Sequence, residues 1–220
     1  MKVLIHAYPK RMWYVEGWLV PELRRQGADE IEVWNDAEGK GNLRACMESF
    51  AARSGDGGTW HIQDDVILCR DFVRRCREHD EGVVYGFCCK MFTDDPLQTG
   101  RVSVEDAWHS FQCIRIPDSY ARDCAAWFYE GAGREHEEYP LWISTGKMDD
   151  SVFRAWLLEQ HGRETVENLR PNLVDHVDFI LGGSVLHPWR GFLARSEFWD
   201  DEDLVRELKA SVKDHVVYVN

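Results

Sequence analysis

The sequence predicts an α/β fold, a mostly parallel, Rossmann-like sheet flanked by helices in a single domain. Two observations carry this reading. Short apolar runs alternate with segments of helical period from Lys2 to Cys88, the signature of βαβ units. The 220 residues are 44% hydrophobic and include ten Trp, ten Phe and seven Tyr. A chain of this size buries roughly 70% of its unfolded surface, which excludes disordered and fibrous classes.

Lys2–Ala7 is an apolar run closed by Tyr8 and Pro9, a buried strand entering a loop. Met12, Val15, Leu19 and Leu23 then recur at helical spacing up to Arg25, and Gly27 falls where a C-terminal cap belongs. Ile31–Trp34 is a second strand, ending in Asn35 and Asp36. Gly39 and Gly41 form a loop, after which Leu43, Cys46, Met47 and Phe50 share one helix face. Thr59–Ile62 is a third strand running directly into Gln63, Asp64 and Asp65. A helix over Asp71–His79 and a strand over Val83–Cys88 continue the alternation. Ligands of such sheets bind beyond the carboxyl ends of the strands, which singles out His6–Arg11, Asn35–Arg44 and Gln63–Asp65.

The second half is less regular. Phe92–Asp106 is polar and turn-rich, Trp108–Ile116 is a candidate strand, and Asp118–Tyr129 reads as a helix capped by Asp118. Glu130–Pro140 is expected as a loop. Asp149 and Asp150 open a helix to about Gln160, where capping and the helix dipole already favour acids. Asn172–Asp178 follows, then a Gly182–Gly183 loop carrying Trp189 and Arg190, and a strand-like Val216–Val219. Residues 1–195 are expected to form the domain, with 196–220 an extension packed on or near it.

The formal charge of −13 disfavours non-specific binding to phosphate backbones or anionic lipid unless basic residues cluster locally. No apolar run approaches the ~18 residues of a membrane span, and the N-terminal run is too short for a secretory segment, so a cytoplasmic location is expected. The seven cysteines (Cys46, Cys69, Cys76, Cys88, Cys89, Cys113, Cys124) include no C-x-x-C pair and read as reduced, mostly buried thiols. The Walker, dinucleotide-binding, zincin and nucleophile-elbow motifs are all missing.

Chemistry concentrates in Trp60–Leu68, where Asp64 and Asp65 sit between apolar runs. Burying unpaired carboxylates costs several kcal/mol, so something must compensate. A Mg²⁺ or Mn²⁺ ion would do so and leave positions open for substrate phosphates; helix capping or an arginine partner would also serve.

The succession of these segments resembles glycosyltransferases of the GT-A fold. His61–Val66 with Cys69 and Phe72, the Asp149–Asp150 pair, and Pro171–His176 look like the small glycosyltransferases encoded by bacteriophages, over about residues 2 to 190. The resemblance implies a GT-A-like fold and a nucleotide-sugar donor, expected to be a UDP-sugar. It implies Asp65 as metal ligand, Asp64 as a sugar or metal contact, and Gln63 at a position where an acid is common. Asp36 matches an acid that contacts the nucleoside, or is simply a turn aspartate, while Tyr8, Pro9 and Arg11 would line the base pocket. His176 matches a late histidine that completes the Mn²⁺ or Mg²⁺ site, against the alternative of a salt-bridged surface histidine; Asp175 or Asp178 would orient it.

Asp150 matches the base that takes the acceptor hydroxyl proton in inverting members; in a retaining enzyme Asp149 or Asp150 would bind sugar or acceptor instead. Arg44, Lys40 and Arg190 are candidate diphosphate contacts, each also readable as a solvated charge. Trp108, Trp127, Trp142 and Trp189 are stacking candidates, or packing residues. Acceptors in this family include hydroxymethylated bases of phage DNA, proteins and glycans; a DNA acceptor would need a basic patch, built from Arg11, Arg44, Arg101, Arg190 and Arg195. The competing readings are a metal-dependent nucleotidyltransferase or nucleotide-sugar phosphohydrolase, and a non-catalytic nucleotide-binding protein.

Overall fold

The computed structural model describes residues 1–87, 100–104, 111–146, 148–162, 165–169 and 172–177, with positions 181, 203, 206, 207 and 210. The expectations for Cys88, Cys89, Trp108, Pro171, Asp178, the Gly182–Gly183 loop, Trp189, Arg190, Arg195 and Val216–Val219 lie outside these residues, as does nearly all of 196–220.

β1 (Lys2–Ala7) leads through a 3₁₀ turn (Pro9–Arg11) into α1 (Met12–Tyr14), a π-helical turn (Val15–Leu19) and α2 (Val20–Arg25). One uninterrupted helix was expected here. Pro21 explains the difference, because it has no N–H to donate and its ring crowds the preceding turn. The turn widens, and the amide of Val20 reaches back to the carbonyl of Val15. Gly27, at φ 86°, ends the helix just past its cap, as its position predicts.

β2 (Glu30–Asn35), α3 (Asn42–Ala51), β3 (Gly58–Gln63), β4 (Val66–Leu68), α4 (Phe72–Arg77) and β5 (Val84–Tyr85) follow. β6 (Gly100–Ser103), β7 (Cys113–Pro117), α5 (Asp118–Glu130), α6 (Tyr139–Thr145), α7 (Asp149–His161), β8 (Thr165–Asn168) and β9 (Val174–His176) complete the order. Seven strands form one sheet in the order β2-β1-β3-β7-β5-β8-β6, and β4 pairs with β9 in a second. The pairings set β2, β1, β3, β5 and β8 in one direction and β7 and β6 against it, so five of seven strands are parallel.

Side chains alternate across the sheet. Val3, Ile5, Trp60 and Ile62 pack with Tyr14, Leu19, Leu23, Phe72 and Val73 on one face. Ile114 and Ile116 pack with Met47, Phe50, Cys124, Phe128, Phe153 and Trp156 on the other. This two-sided burial is what a sheet clad by helices on both faces requires.

Three local expectations are corrected. Glu130–Pro140 is not wholly loop: a 3₁₀ turn spans Ala132–Glu135, and Pro140 sits in the first turn of α6, where its missing N–H has no helical partner to lose. Asp118 does not cap α5; it is buried inside the first turn and accepts a hydrogen bond from Thr59 Oγ1 at 2.7 Å. α7 opens at Asp149 and Asp150 as expected, but the cap position falls to Met148, in a left-handed conformation at φ 72°, so the acids stand in the first turn and not at the cap.

Candidate functional site

The parallel register pairs His6 with Gln63 and Ala7 with Asn35, so the carboxyl ends of β1, β2 and β3 share one edge. Asp64 and Asp65 leave β3 at this edge. The backbone amide of Tyr8 donates to Asp64 Oδ2 at 2.5 Å. Arg11, delivered by the 3₁₀ turn, is 5% exposed, and its Nη1 donates to Asp64 Oδ1 at 3.0 Å and Asp65 Oδ2 at 2.7 Å. Antiparallel pairing of β4 with β9 sets Val66 opposite His176, and the Val177 amide donates to the Asp65 carbonyl at 2.8 Å. His176 Nε2 thereby stands 3.1 Å from Asp65 Oδ2. The hydroxyl of buried Tyr14 donates to the Val66 carbonyl at 2.8 Å and holds the turn from below.

The two carboxyls divide one guanidinium unequally. Burial pushes Asp64 up to about 6, against the pull of Arg11, and the Asp65 charge adds to the rise. Burial also raises Asp65, but His176 and Arg11 outweigh it and hold the carboxyl well below its ordinary value. Asp65 is therefore the more firmly ionised of the pair, and its buried Oδ1 has no hydrogen-bond partner. Two carboxylates, one of them with an orphaned oxygen, and an imidazole nitrogen are a donor set that suits Mn²⁺ or Mg²⁺. As arranged, with Arg11 between the acids, the described residues contain no group of three or more His, Cys, Asp or Glu shaped to hold a metal ion.

A second group joins the same edge. The Asp36 amide donates to the Ala7 carbonyl at 3.1 Å. Its carboxylate accepts from the amides of Lys40 at 2.7 Å and Gly41 at 2.8 Å, folding residues 36–41 into a closed loop. Gly41, at φ 92°, lies so near the Gly146 carbonyl that a Cβ would approach it to 3.3 Å. Asn42 Nδ2 then donates to Asp149 Oδ1 at 2.7 Å, and the Leu43 amide to the Gly146 carbonyl at 3.1 Å. The 36–42 loop thus ties the start of α7 to the ends of β1 and β2.

Asp149 is buried, and burial first and Asp150 second push its carboxyl up to about 7. Asp150 is half-buried, raised by burial, and accepts from the amide of Ser151 at 2.8 Å. Gln63 gives its amide to the Gln112 carbonyl at 3.3 Å, and Pro9 is exposed.

Arg44 is exposed, and Lys40 pairs with Glu38 and Glu48, so neither cation stands in the acidic cluster. Trp127 and Trp142 are core residues. Arg101 lies on β6, at the edge of the sheet opposite β2, and Arg11 is buried among acids; the basic patch considered from sequence is not assembled among the described residues. The arginine partner open to the acids from sequence is Arg11, whose identity the sequence did not single out, nor did it single out Asn42. Asn42 carried a faint signal as the first residue of a helix after two glycines, whereas Arg11 and Asp65 are 54 positions apart and share no spacing rule.

No protein-family model and no curated protein sequence matches the chain. Among solved structures, the crystal structure of S. aureus TarS 1-349 is similar over 82% of this chain at 12% identity and a TM-score of 0.52; the chain spans 61% of that structure's length. The inositol-1-phosphate CTP transferase from T. maritima is similar over 98% of this chain and 97% of its own at 10% identity, with a lower TM-score of 0.45. At these identities the likeness is one of fold. The chain has a GT-A-like, Rossmann-like α/β fold.

Proposed function

We propose that the protein is a metal-dependent glycosyltransferase that moves a sugar from a nucleotide-sugar, foremost a UDP-sugar, to a hydroxyl acceptor. One observation carries the reading: Arg11, Asp64, Asp65 and His176 converge at the carboxyl edge of a GT-A-like sheet, and Asn42 tethers the Asp149–Asp150 helix end to that edge. Asp65 and His176 would hold Mn²⁺ or Mg²⁺, which when bound supplies Lewis-acid stabilisation of the leaving diphosphate. Asp64, steadied by the Tyr8 amide, faces the sugar side, and Tyr8, Pro9, Asp36 and Gln63 border the nucleoside.

Asp150 is the base for the acceptor hydroxyl, its basicity raised by burial. Asp149 has one oxygen engaged by Asn42 and acts as the residue that positions the helix end. Hydroxymethylated DNA is the acceptor to assay beside protein and glycans. Among the described residues no helix is long and apolar enough to cross a membrane.

A thermal-shift panel of nucleotide-sugars with Mn²⁺, Mg²⁺ or EDTA tests the reading, because a ligand that binds the native state raises the midpoint by mass action. The expected result is a donor-specific rise enlarged by Mn²⁺ and lost in Asp65→Ala. A panel without any shift overturns it, and nucleotidyl transfer in place of sugar transfer by the wild type replaces it with the nucleotidyltransferase reading.

A further inference from the structure

We infer that Arg11 and a divalent cation are mutually exclusive occupants of the Asp64–Asp65–His176 crevice, so that loading the metal expels the guanidinium. The inference deepens the donor-site reading above and rests on it. Arg11 Nη1 bridges both carboxylates, 2.7 Å from Asp65 Oδ2 and 3.0 Å from Asp64 Oδ1. The same Oδ2 faces His176 Nε2 at 3.1 Å. An ion held by His176 Nε2 and the Asp65 oxygen that faces it, Oδ2, would sit between those two atoms, at the roughly 2.1 Å bonding distance of Mg²⁺, and the guanidinium already stands against that oxygen.

Charge leads to the same place. Two carboxylates are balanced by one divalent ion, whereas a divalent ion together with Arg11 leaves excess positive charge in a largely buried site, where screening is weak. The rest of the site is built to survive the exchange. The Tyr8 amide anchors the other oxygen of Asp64, and the β4–β9 pairing holds His176 without help from Arg11. Arg11 itself ends a short 3₁₀ turn at the mouth of the site, and an expelled guanidinium there is shaped for bidentate contact with a diphosphate. The charge of the acidic pair is thus partly offset by an internal cation until metal and donor arrive.

Two measurements on the full chain test this. In the first, free Mn²⁺ is followed by electron paramagnetic resonance, without nucleotide, for wild type, Arg11→Lys and Arg11→Gln. Arg11→Gln is expected to bind Mn²⁺ about tenfold tighter than wild type or more, since the competing charge is gone, with Arg11→Lys near wild type. Mn²⁺ binding by Arg11→Gln alone also supports exclusion; equal or weaker binding by a folded Arg11→Gln, or binding by none of the three, overturns it. The second uses wild type only and so does not depend on the variant folding: phenylglyoxal labelling of Arg11, read by peptide mass spectrometry, rises as Mn²⁺ is added. Labelling that stays flat through saturating Mn²⁺ overturns the inference. A nucleotide-sugar thermal shift that persists beside these negative results leaves the donor-site reading standing, and its loss under all conditions removes that reading instead.

Discussion

Asp149 shows what burial does to a carboxyl even where Asn42 and Cys46 of α3 both hydrogen-bond it. Its Oδ1 takes the Asn42 amide at 2.7 Å, yet burial and the neighbouring Asp150 lift the carboxyl from 3.8 to about 7. In the unfolded chain the proton leaves near pH 4; in the native state it stays until about 7. Between those values the native state binds more protons, so this residue makes stability fall as pH rises from about 4 to about 7, by at most about 1.4 kcal/mol per pH unit. Asp149→Asn removes the ionisation while keeping the shape. The stability of wild type minus that of the variant, from urea unfolding, should therefore decline steadily between pH 4.5 and 7 and flatten above. A difference independent of pH would show that Asp149 ionises normally.

At the scale of elements, the strand–helix alternation through residue 77 was legible because each unit carries its own period and its own turn residues. The acidic pair was legible because two carboxylates between apolar runs need an explanation wherever they lie. Three features were not. β7 enters between β3 and β5 antiparallel to both, and pairing partners 29 to 59 residues apart leave no local pattern. β4 and β9 are three residues each, too short for a period, although their pairing is what delivers His176. Arg11 was read as lining a pocket, and only the folded 3₁₀ turn shows it buried on the acids.

Gly86 joins these long-range elements. It follows β5, its amide donates to the Cys113 carbonyl at 2.9 Å, and its carbonyl accepts from the Leu173 amide at 2.7 Å, just before β9. A Cβ there would meet Cys113 Sγ at 2.6 Å and Leu173 Cδ1 at 3.0 Å, all in the core. Gly86→Ala should cost about 1–3 kcal/mol by overpacking and weaken Mn²⁺ binding by shifting the strand that carries His176. Adding Cys113→Ala opens room on the tighter side, so the double variant should regain part of the stability, a coupling that a double-mutant cycle measures. Strictly additive losses would mean that Gly86 matters for its backbone and not for the space around it.

The molecule as a whole places a stacked pair of imidazoles, His6 and His61, on the opposite side of the pH balance from Asp149. His6 on β1 and His61 on β3 share a 3.0 Å hydrogen bond between His6 Nε2 and His61 Nδ1 and stack with ring centroids 5.3 Å apart, and His61 packs edge-on against Phe50 from α3. Burial, then the Arg53 charge, lowers His6 to about 3, with Glu32 opposing; burial, His6, Arg53 and Lys2 hold His61 well below 6.5. Both rings are neutral in the native state, and the cations that face them are themselves held, Arg53 by Glu32 at 2.7 and 2.8 Å. The unfolded chain protonates near 6.5. A depressed folded pKa gives stability that is fully present above about 6.5 and lost as pH falls toward 3, by about 1.4 kcal/mol per pH unit for each group. His61 is fully enclosed whereas His6 keeps some exposure, so His61 supplies the larger share. Its Nε2 has no hydrogen-bond partner, so a third proton site in the pair has nowhere to donate. His61→Gln should thus be less stable than wild type at pH 8, through lost packing on Phe50, yet lose less on going to pH 5. Urea midpoints at the two pH values decide it: the gap between variant and wild type narrows on acidification if the imidazoles are buried neutral, and a gap that widens or holds constant would place their titration outside the core.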